Sequence, residues 1–247
     1  KRLEKSIASV RIYGNVGELS ANRTNIVKVD LTHNPSTLKE VSIKENKELS
    51  ELDLSKSAQL KSLEVDGCEA LTQLSFPEGA KLTLLSCGKS GIKELDLKNL
   101  TELTALMCGE TGLTKLDVSM LSKLTNLSCF GNKLAKLDIS NNKKLFSLKC
   151  DACEMEELIL GDVSTLKAFS VNNNKLKHID VSKLTGITTI ALQDNLLESI
   201  VVSKEMSKLN EFRIYNNKLS ARAMMSFIEQ LPKKEYNDGS LFVINTQ

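Results

Sequence analysis

Six cysteines offer the widest choice of chemistry in this 247-residue chain, because thiols bind metals, form disulfides and attack substrates. Four of them, Cys87, Cys108, Cys129 and Cys150, follow one another at intervals of 21 residues. Cys150 and Cys153 form a Cys-x-x-Cys pair, but the sequence holds no second Cys or His pair to complete a zinc site. A regular interval is typical of core residues, and cysteines that point in parallel from neighbouring turns have poor disulfide geometry. We therefore predict free thiols that pack as small apolar residues.

An aspartate column repeats along the chain in the same way, and each Asp is followed two residues later by Ser, Thr or Lys. Its members are Asp30, Asp53, Asp96, Asp117, Asp138 and Asp180. A calcium site needs six or more converging oxygens, whereas these carboxylates recur singly. We predict that they accept backbone N–H bonds and pair with lysines such as Lys115 and Lys136. Calcium binding is the alternative.

The sequence contains no recognisable catalytic motif. The two histidines, His33 and His178, do not lie near a nucleophile motif, and no phosphate-binding loop or zinc-protease motif occurs. We therefore predict a protein that is not an enzyme and that has no cofactor or metal.

Composition excludes two further classes of protein. The net charge of +2 argues against nucleic-acid binding through bulk positive charge. All apolar runs are short, so we predict no membrane-spanning segment. The chain begins KRLEKSIAS, with no charged-then-apolar leader, which is typical of a mature or trimmed start.

The cysteine interval belongs to a repeat that extends over most of the chain. Each Cys follows Leu residues two and five positions earlier, as in Leu124, Leu127 and Cys129. The same position holds Ile43 and Val65 before the cysteines, with Ala21 as its first member. After the cysteines it holds Val171, Leu192 and Ile214. Ten repeats of 21 or 22 residues therefore cover roughly residues 16–220.

One repeat reads L-x-x-L-x-C-x-x-N-x-L-x-x-L-D-I-S, from Leu124 to Ser140. It is nearly doubled internally, and alternating apolar residues indicate two extended segments per turn. We predict a flattened parallel solenoid with one regular sheet and an opposite wall of short strands or turns. An Asn three residues after the Cys position can bond the backbone of neighbouring turns; the examples are Asn46, Asn132, Asn174, Asn195 and Asn217. Thr24, Ser90 and Thr111 can replace it in part, whereas Cys68 and Cys153 donate poorly.

This repeat resembles that of leucine-rich repeat proteins, with Cys in a Leu position. It is most similar to the short-repeat surface proteins of Gram-negative gut and oral anaerobes. The resemblance implies an α/β-type repeat fold, a right-handed solenoid with a parallel β-sheet on one face. It also implies placement on the cell surface (outer membrane) or secretion, with roles in adhesion or host contact, and a precursor that could carry a lipid anchor.

The two ends of the chain must close the solenoid, so we predict three segments. Residues 1–15 form an N-terminal capping strand within SIASVRIY, residues 16–220 form the repeats, and residues 221–247 form a C-terminal cap. In that cap Ser220 begins a helix over residues 221–230, in which Met224, Phe227, Ile228 and Leu231 recur at helical spacing and the Met and Phe cover the last turn. Residues 241–244 form a strand. An amphipathic partner site is the alternative for this helix.

Outward residues of the regular sheet are the candidate binding residues, because the core does not use them. Leu84, Met107 and Phe130 place apolar side chains outward in three consecutive turns, with Glu64 and Asp66 on one side and Lys149 on the other. A second candidate is Arg213 with Tyr215, near Asn172 and Gln193, which could receive a peptide or a sugar.

We therefore predict a monomeric module that binds a protein or peptide of a host or bacterial surface, with no nucleic acid as partner. A structural spacer and a glycan-binding accessory protein are the alternatives.

Overall fold

Alternating apolar residues in every repeat form strands of three residues, whose central side chain points inward while the other two point outward. A computed structural model describes residues 9–33, 37–233 and 242–243. The chain divides into two units, Lys1–Lys123 and Leu124–Gln247. Both are coils of parallel strands, and they contain about ten turns in total, which confirms the predicted parallel solenoid.

Unit 1 contains two sets of strands. In chain order they are β1 (Val10–Arg11), β2 (Glu18–Ser20), β3 (Lys28–Asp30), β4 (Glu40–Ser42), β5 (Glu51–Asp53), β6 (Ser62–Glu64), β7 (Leu84–Ser86) and β8 (Ala105–Met107). The regular sheet has the order β2-β4-β6-β7-β8, and the opposite wall contains β1-β3-β5. Beyond β5 the described opposite wall of this unit is irregular. Both predicted kinds of wall are therefore present.

Unit 2 repeats this plan. Its elements are β9 (Asn126–Ser128), β10 (Lys136–Asp138), β11 (Ser147–Lys149), β12 (Glu157–Ile159), β13 (Ala168–Ser170), β14 (His178–Asp180), β15 (Thr189–Ala191), β16 (Ser199–Val201), β17 (Glu211–Arg213), α1 (Ala221–Gln230) and β18 (Phe242–Val243). The regular sheet has the order β9-β11-β13-β15-β17-β18. On the opposite wall β10 pairs with β12, and β14 pairs with β16.

The core of each unit is a set of stacked columns of apolar side chains. Equivalent residues pair directly, as Leu63 pairs with Leu85 in unit 1 and Leu148 with Phe169 in unit 2. The cysteine column and its Ile, Val and Leu equivalents are buried, except that Ala21 is half-buried in the first turn. One turn cannot cover its own apolar edge, so the burial comes from its neighbours.

The predicted asparagine ladder is present and bonds the backbone of two turns at once. Asn174 Oδ1 accepts from the backbone N–H of Cys153 at 3.0 Å and of Met155 at 2.9 Å. Its Nδ2 donates to the carbonyl oxygens of Cys150 and Val171, both at 2.9 Å. The side chain therefore satisfies four backbone groups at a corner where no strand partner is available.

The other side chains of the ladder also bond backbone groups at the corners of the turns. Asn46 Oδ1 accepts from the backbone of Thr24 and Ile26, and its Nδ2 donates to Ala21 and Ile43. Asn195 and Asn217 also bridge two turns, while Asn132 donates to the Cys129 carbonyl. The hydroxyls of Ser90 and Thr111 donate to the carbonyl of the Cys position in their own turn. These shorter side chains replace the amide only in part, as predicted.

The C-terminal helix forms over the predicted residues. Ser220 is its N-cap, and the Ser220 side chain accepts from the backbone N–H of Ala223 at 3.2 Å. Phe227 is buried and contacts Phe212 of β17 edge-on, with ring centroids 5.1 Å apart. Met224 is half-buried, whereas Ile228 is 49% exposed because it lies on the solvent side of the helix.

The two ends of the chain are described only in part. Strand β1 pairs with β3 of the opposite wall, and residues 6–8 of the predicted capping segment SIASVRIY lie outside the described residues. Of the predicted strand at residues 241–244, the described part is β18, which pairs in parallel with β17.

We predict that Asn174→Ala lowers the free energy of unfolding by about 3 kcal/mol or more. The substitution leaves buried backbone donors and acceptors without partners, and each such group costs about 1–3 kcal/mol. Urea denaturation measures the change. Asn141→Ala, at an exposed Asn of the same unit, is the control and is expected to change stability little. Equal effects of the two substitutions would contradict the role of the ladder.

Candidate binding face

The outward residues of the regular sheets are the surface that the fold leaves available for recognition. In each turn they lie three positions before, one before and one after the inward residue of the cysteine column. Pairing in register places equivalent outward residues side by side, as Ser62 pairs with Leu84 and Ser86 with Met107. The sheets therefore present three outward rows of side chains in each unit.

Unit 1 contains the predicted apolar residues Leu84 and Met107. They lie diagonally from each other on adjacent strands, because Leu84 pairs with Ala105 and Met107 with Ser86. Both side chains are half-buried rather than fully exposed, because the rows on either side cover part of them. Beside them Gly88 brings the backbone close: an added Cβ would lie 3.1 Å from the Gly109 carbonyl oxygen.

The acidic residues on one side of this apolar pair, Glu64 and Asp66, already interact with neighbouring turns of the protein. Asp66 Oδ1 accepts from the Ser86 hydroxyl at 2.8 Å and from the Gly88 backbone N–H at 2.9 Å. Glu64 forms an ion pair with Lys44. The acidic rim therefore stabilises contacts between turns as well as facing solvent.

Unit 2 contains Phe130 and Lys149, which contact each other directly. The Lys149 ammonium lies 4.8 Å from the centre of the Phe130 ring, a cation–π contact. Phe130 is half-buried and Lys149 is exposed. The lysine was predicted as a flank of the apolar residues, and the structure places it over the aromatic ring.

The second predicted pair, Arg213 and Tyr215, also lies on the outward face of unit 2. Arg213 is exposed and forms an ion pair with Glu211, and Tyr215 is half-buried. In the preceding turn Ala191 and Gln193 occupy the equivalent positions, and both are buried. Two buried residues, Ala191 and Gln193, therefore lie beside the large side chains of Arg213 and Tyr215 in the last turn.

One set of polar residues on this face has a role that the sequence analysis missed. Asn22, Asp66 and Asp151 each accept from the backbone N–H of the equivalent residue in the next turn, and also from a Ser hydroxyl there. In Asp151 the two distances are 3.1 Å to Asn172 N and 2.6 Å to Ser170 Oγ. The sequence pattern that identifies these bonds is an Asn or Asp one residue after the cysteine column, together with a Ser one residue before that column in the next turn.

The aspartate column forms the predicted backbone bonds. The carboxylates of Asp53, Asp117 and Asp180 accept from the backbone N–H two residues later, each at 2.9 Å. Within the described ranges, no three His, Cys, Asp or Glu side chains gather where they could hold a metal ion. Asp96 of the column pairs with a nearby lysine, Lys98, at 2.8 Å. Lys136, which was expected to pair with the column, has its Nζ 2.9 Å from Glu157 of the next turn, because paired strands align these two residues.

All six cysteines are free and buried, as predicted. Burial raises the pKa of the Cys87 thiol to about 12. Cys129 and Cys150 of unit 2 lie with their Sγ atoms 3.2 Å apart, and this contact raises the pKa of Cys129 well above its ordinary value. Cys153 donates to the Cys129 carbonyl oxygen at 3.1 Å, so it occupies the place of an Asn in the ladder.

A cleft of about 460 Å³ opens on the opposite wall of unit 2, between β12 and β14. These two strands belong to different two-stranded sheets, and the cleft lies at this break. Its lining includes Glu157 and His178, and the His178 Nδ1 lies 2.8 Å from the Ser199 hydroxyl. Two residues of the lining form surface ion pairs: Lys175 with Glu154, and Glu157 with Lys136. This lining contains no arrangement that resembles a catalytic site.

In the part of the chain that the structure describes, no helix has the length and apolar character needed to cross a bilayer.

The stacked turns, the parallel sheet and the asparagine ladder together define a leucine-rich repeat fold. The chain matches no protein-family model, and the comparison with curated proteins gives no match. Its fold is similar to that of the functional domain of InlJ from Listeria monocytogenes, a structure described as including a cysteine ladder. The two share 32% sequence identity with a TM-score of 0.76, over 83% of this chain and 45% of that chain. This chain therefore spans less than half of the InlJ chain.

Two further solved structures show the same fold. The internalin InlF from Listeria monocytogenes is 20% identical with a TM-score of 0.72, covering 89% of this chain and 72% of that chain. The leucine-rich repeat domain of LRIM1 is 16% identical with a TM-score of 0.65, covering 87% and 71% of the two chains.

We predict that acid destabilises the protein partly through the aspartate column. Hydrogen bonds from the Thr32 side chain and backbone lower the pKa of Asp30 from 3.8 to about 2. A pKa that is lower in the folded state contributes stability above the ordinary value, and this contribution is lost as the pH falls from about 4 to about 2. Asp30→Asn keeps the acceptor but removes the titration, so its thermal midpoint should fall less than that of the wild type over this range.

The control for this prediction is Asp162→Asn, at an exposed aspartate outside the column. A pH profile of Asp30→Asn that runs parallel to the wild-type profile between pH 6 and pH 2 would refute the role of Asp30.

We predict that the native protein resists thiol reagents. The thiolate is the reactive form, and burial both raises the pKa and blocks access. With Ellman's reagent at pH 8, native protein should release little colour, while protein in guanidinium chloride should react at all six thiols. Rapid reaction of the native protein would show that the cysteine column is accessible.

Proposed function

We propose that the chain is a non-enzymatic recognition module that binds a protein or peptide through the outward face of its regular sheets. The observation that carries this proposal is the presence of apolar side chains at outward positions, where the core does not require them. In unit 1 these are Leu84 and Met107, and in unit 2 Phe130 lies under Lys149. Apolar residues within a polar rim are typical of interaction surfaces.

The related structures support a role in protein interaction. Proteins with this fold include internalins, and LRIM1 is known in a complex with a second protein, APL1C. The near-neutral net charge favours a protein or peptide over a nucleic acid as the partner of this chain. We further propose that the chain acts as a monomer, either secreted or on a cell surface with a lipid anchor in its precursor, where it contacts host or bacterial proteins.

Arg213 and Tyr215 supply a second part of the same face. Arg213 offers several N–H donors, and Tyr215 offers an aromatic ring with a hydroxyl. Both residue types are enriched at sites that dominate binding energy. We assign them to the polar end of the proposed interface in unit 2.

We predict that Met107→Glu and Phe130→Glu each weaken binding of a selected partner by about tenfold or more, because each places a charge where apolar contact is expected. Partners are selected from a displayed library of small protein domains, and a glycan array is screened in parallel. Affinities are then measured by calorimetry with the purified chain.

Two control variants separate the sheet face from the rest of the surface. Met120→Glu changes an exposed Met of unit 1, and Val201→Glu changes an exposed residue on the opposite wall of unit 2. Both should bind as the wild type does. Binding that is insensitive to Met107→Glu and Phe130→Glu would remove these residues from the proposal. Selection of glycans alone would favour a carbohydrate-binding role, and failure of both screens would favour a spacer.

A further inference from the structure

Gln193 of unit 2 is buried although it lies at an outward position of the sheet. It follows the inward Leu192 and is only 8% exposed. Its side-chain Oε1 has no hydrogen-bond partner among the described residues. A buried acceptor without a donor destabilises the folded state, and such groups are uncommon in native proteins. An unsatisfied amide on a face otherwise suited to binding therefore requires an explanation.

The surroundings of Gln193 form a small-residue floor between larger side chains. Ala191, two residues earlier, is 6% exposed and pairs with Ser170 on one side and Arg213 on the other. Since equivalent positions align, Gln193 lies between Asn172 of the preceding turn and Tyr215 of the following turn. The Tyr215 backbone is fixed there, because its carbonyl accepts from Asp194 N at 3.1 Å.

The side-chain atoms around Gln193 already have other partners. Asn172 Nδ2 donates to the Ser170 hydroxyl at 3.1 Å, and Asn172 Oδ1 accepts from Asn173 at 2.8 Å. The Arg213 guanidinium pairs with Glu211. The Asn172 amide is thus occupied within its own turn, whereas Gln193 Oε1 is not bonded. Gln has three rotatable side-chain bonds, so its amide can turn outward without any backbone movement.

We propose that the Gln193 amide is a peptide-binding group, which turns outward to pair with the main chain of an extended peptide lying across β13, β15 and β17. Its Oε1 accepts a peptide N–H, and its Nε2 donates to a peptide carbonyl. The inference rests on the proposed function and names one subsite for it. No covalent step is involved.

The chemistry of the site favours a peptide over a sugar. A carboxamide presents one acceptor and two donors in one plane, which complements the N–H and C=O groups along an extended peptide main chain. The floor of Ala168, Ser170 and Ala191 leaves room for a main chain to approach the sheet closely. Arg213 retains N–H groups beyond those directed at Glu211, and these can bond a peptide carbonyl or carboxylate.

The test begins with linear 12-residue peptides displayed on phage and selected on the full chain. The best peptide is synthesised, and its affinity is measured for the wild type and for Gln193→Met, which keeps the side-chain length but removes the amide. We expect about a tenfold loss of affinity, as for one to two hydrogen bonds. We also expect the thermal midpoint of free Gln193→Met to equal or exceed that of the wild type, because an unsatisfied acceptor has been removed.

A matched control lies two residues away. Asn195 is buried and fully bonded, with its Nδ2 donating to the carbonyls of Val171 and Leu192 and its Oδ1 accepting from Leu176 N. Asn195→Leu should therefore lower the thermal midpoint. The contrast between the two substitutions separates a binding group from a structural one.

The peptide itself provides a second control. N-methylation of each main-chain nitrogen in turn should identify one position that weakens binding to the wild type but has little further effect on Gln193→Met. That non-additivity would locate the N–H that Gln193 accepts.

Three outcomes overturn the inference. They are equal affinity of the peptide for wild type and Gln193→Met, a lower thermal midpoint of free Gln193→Met, and a library that yields no peptide. Peptides that are insensitive to Gln193→Met but sensitive to Phe130→Glu would overturn this subsite alone and leave the proposed function standing. Binding of glycans without peptides would contradict both.

Discussion

The backbone at the corner of each turn sets the main constraint on this structure. A turn of 21 or 22 residues can bury its leucines only when its neighbours cover them, and stacking leaves corner N–H and C=O groups in the interior without a strand partner. Asn174 satisfies four such groups across two turns. Where Ser90 or Thr111 replaces the amide, the hydroxyl bonds the carbonyl of its own turn. The positions of the core columns and of the outward rows follow from this alignment.

The repeat made the architecture predictable from the sequence. The interval of the cysteine column identified the inward residues, the Asn three positions later identified the ladder, and Ser220 marked the start of the C-terminal helix. Each of these features depends on local spacing or on a periodic pattern, which one sequence displays directly. A solved structure with only 16% sequence identity shares the fold, which indicates that the repeat pattern carries much of the structural information.

The environment of individual outward residues was less predictable, because it depends on side chains one turn away. The contact between Lys149 and Phe130 depends on how the side chains of two neighbouring turns are placed relative to each other. The partner of Lys136 is Glu157 rather than an aspartate of the column, because paired strands align these two residues. Whether the Oε1 of Gln193 finds a donor depends on how closely the neighbouring side chains pack around it. The spacing of residues along the sequence contains no information about that packing.

The outward face has two kinds of residue with different duties. Asp66 and Asp151 continue the bonding between turns beyond the ends of the strands, so a substitution there is expected to affect folding as well as recognition. Leu84, Met107 and Arg213 make no comparable backbone bond through their side chains among the contacts described. The outward face is therefore divided into residues that hold the turns together and residues that do not have this structural role.

The length of the turns varies without changing how the strands align. Strands β14 and β15 begin 11 residues apart, at His178 and Thr189, whereas β16 and β17 begin 12 apart, at Ser199 and Glu211. The lateral pairing of β15 with β17 is nevertheless in register, so the connecting segment absorbs the additional residue. A connecting segment of this fold can therefore accommodate an additional residue without disturbing strand alignment, and the length of each turn is free to vary at that point.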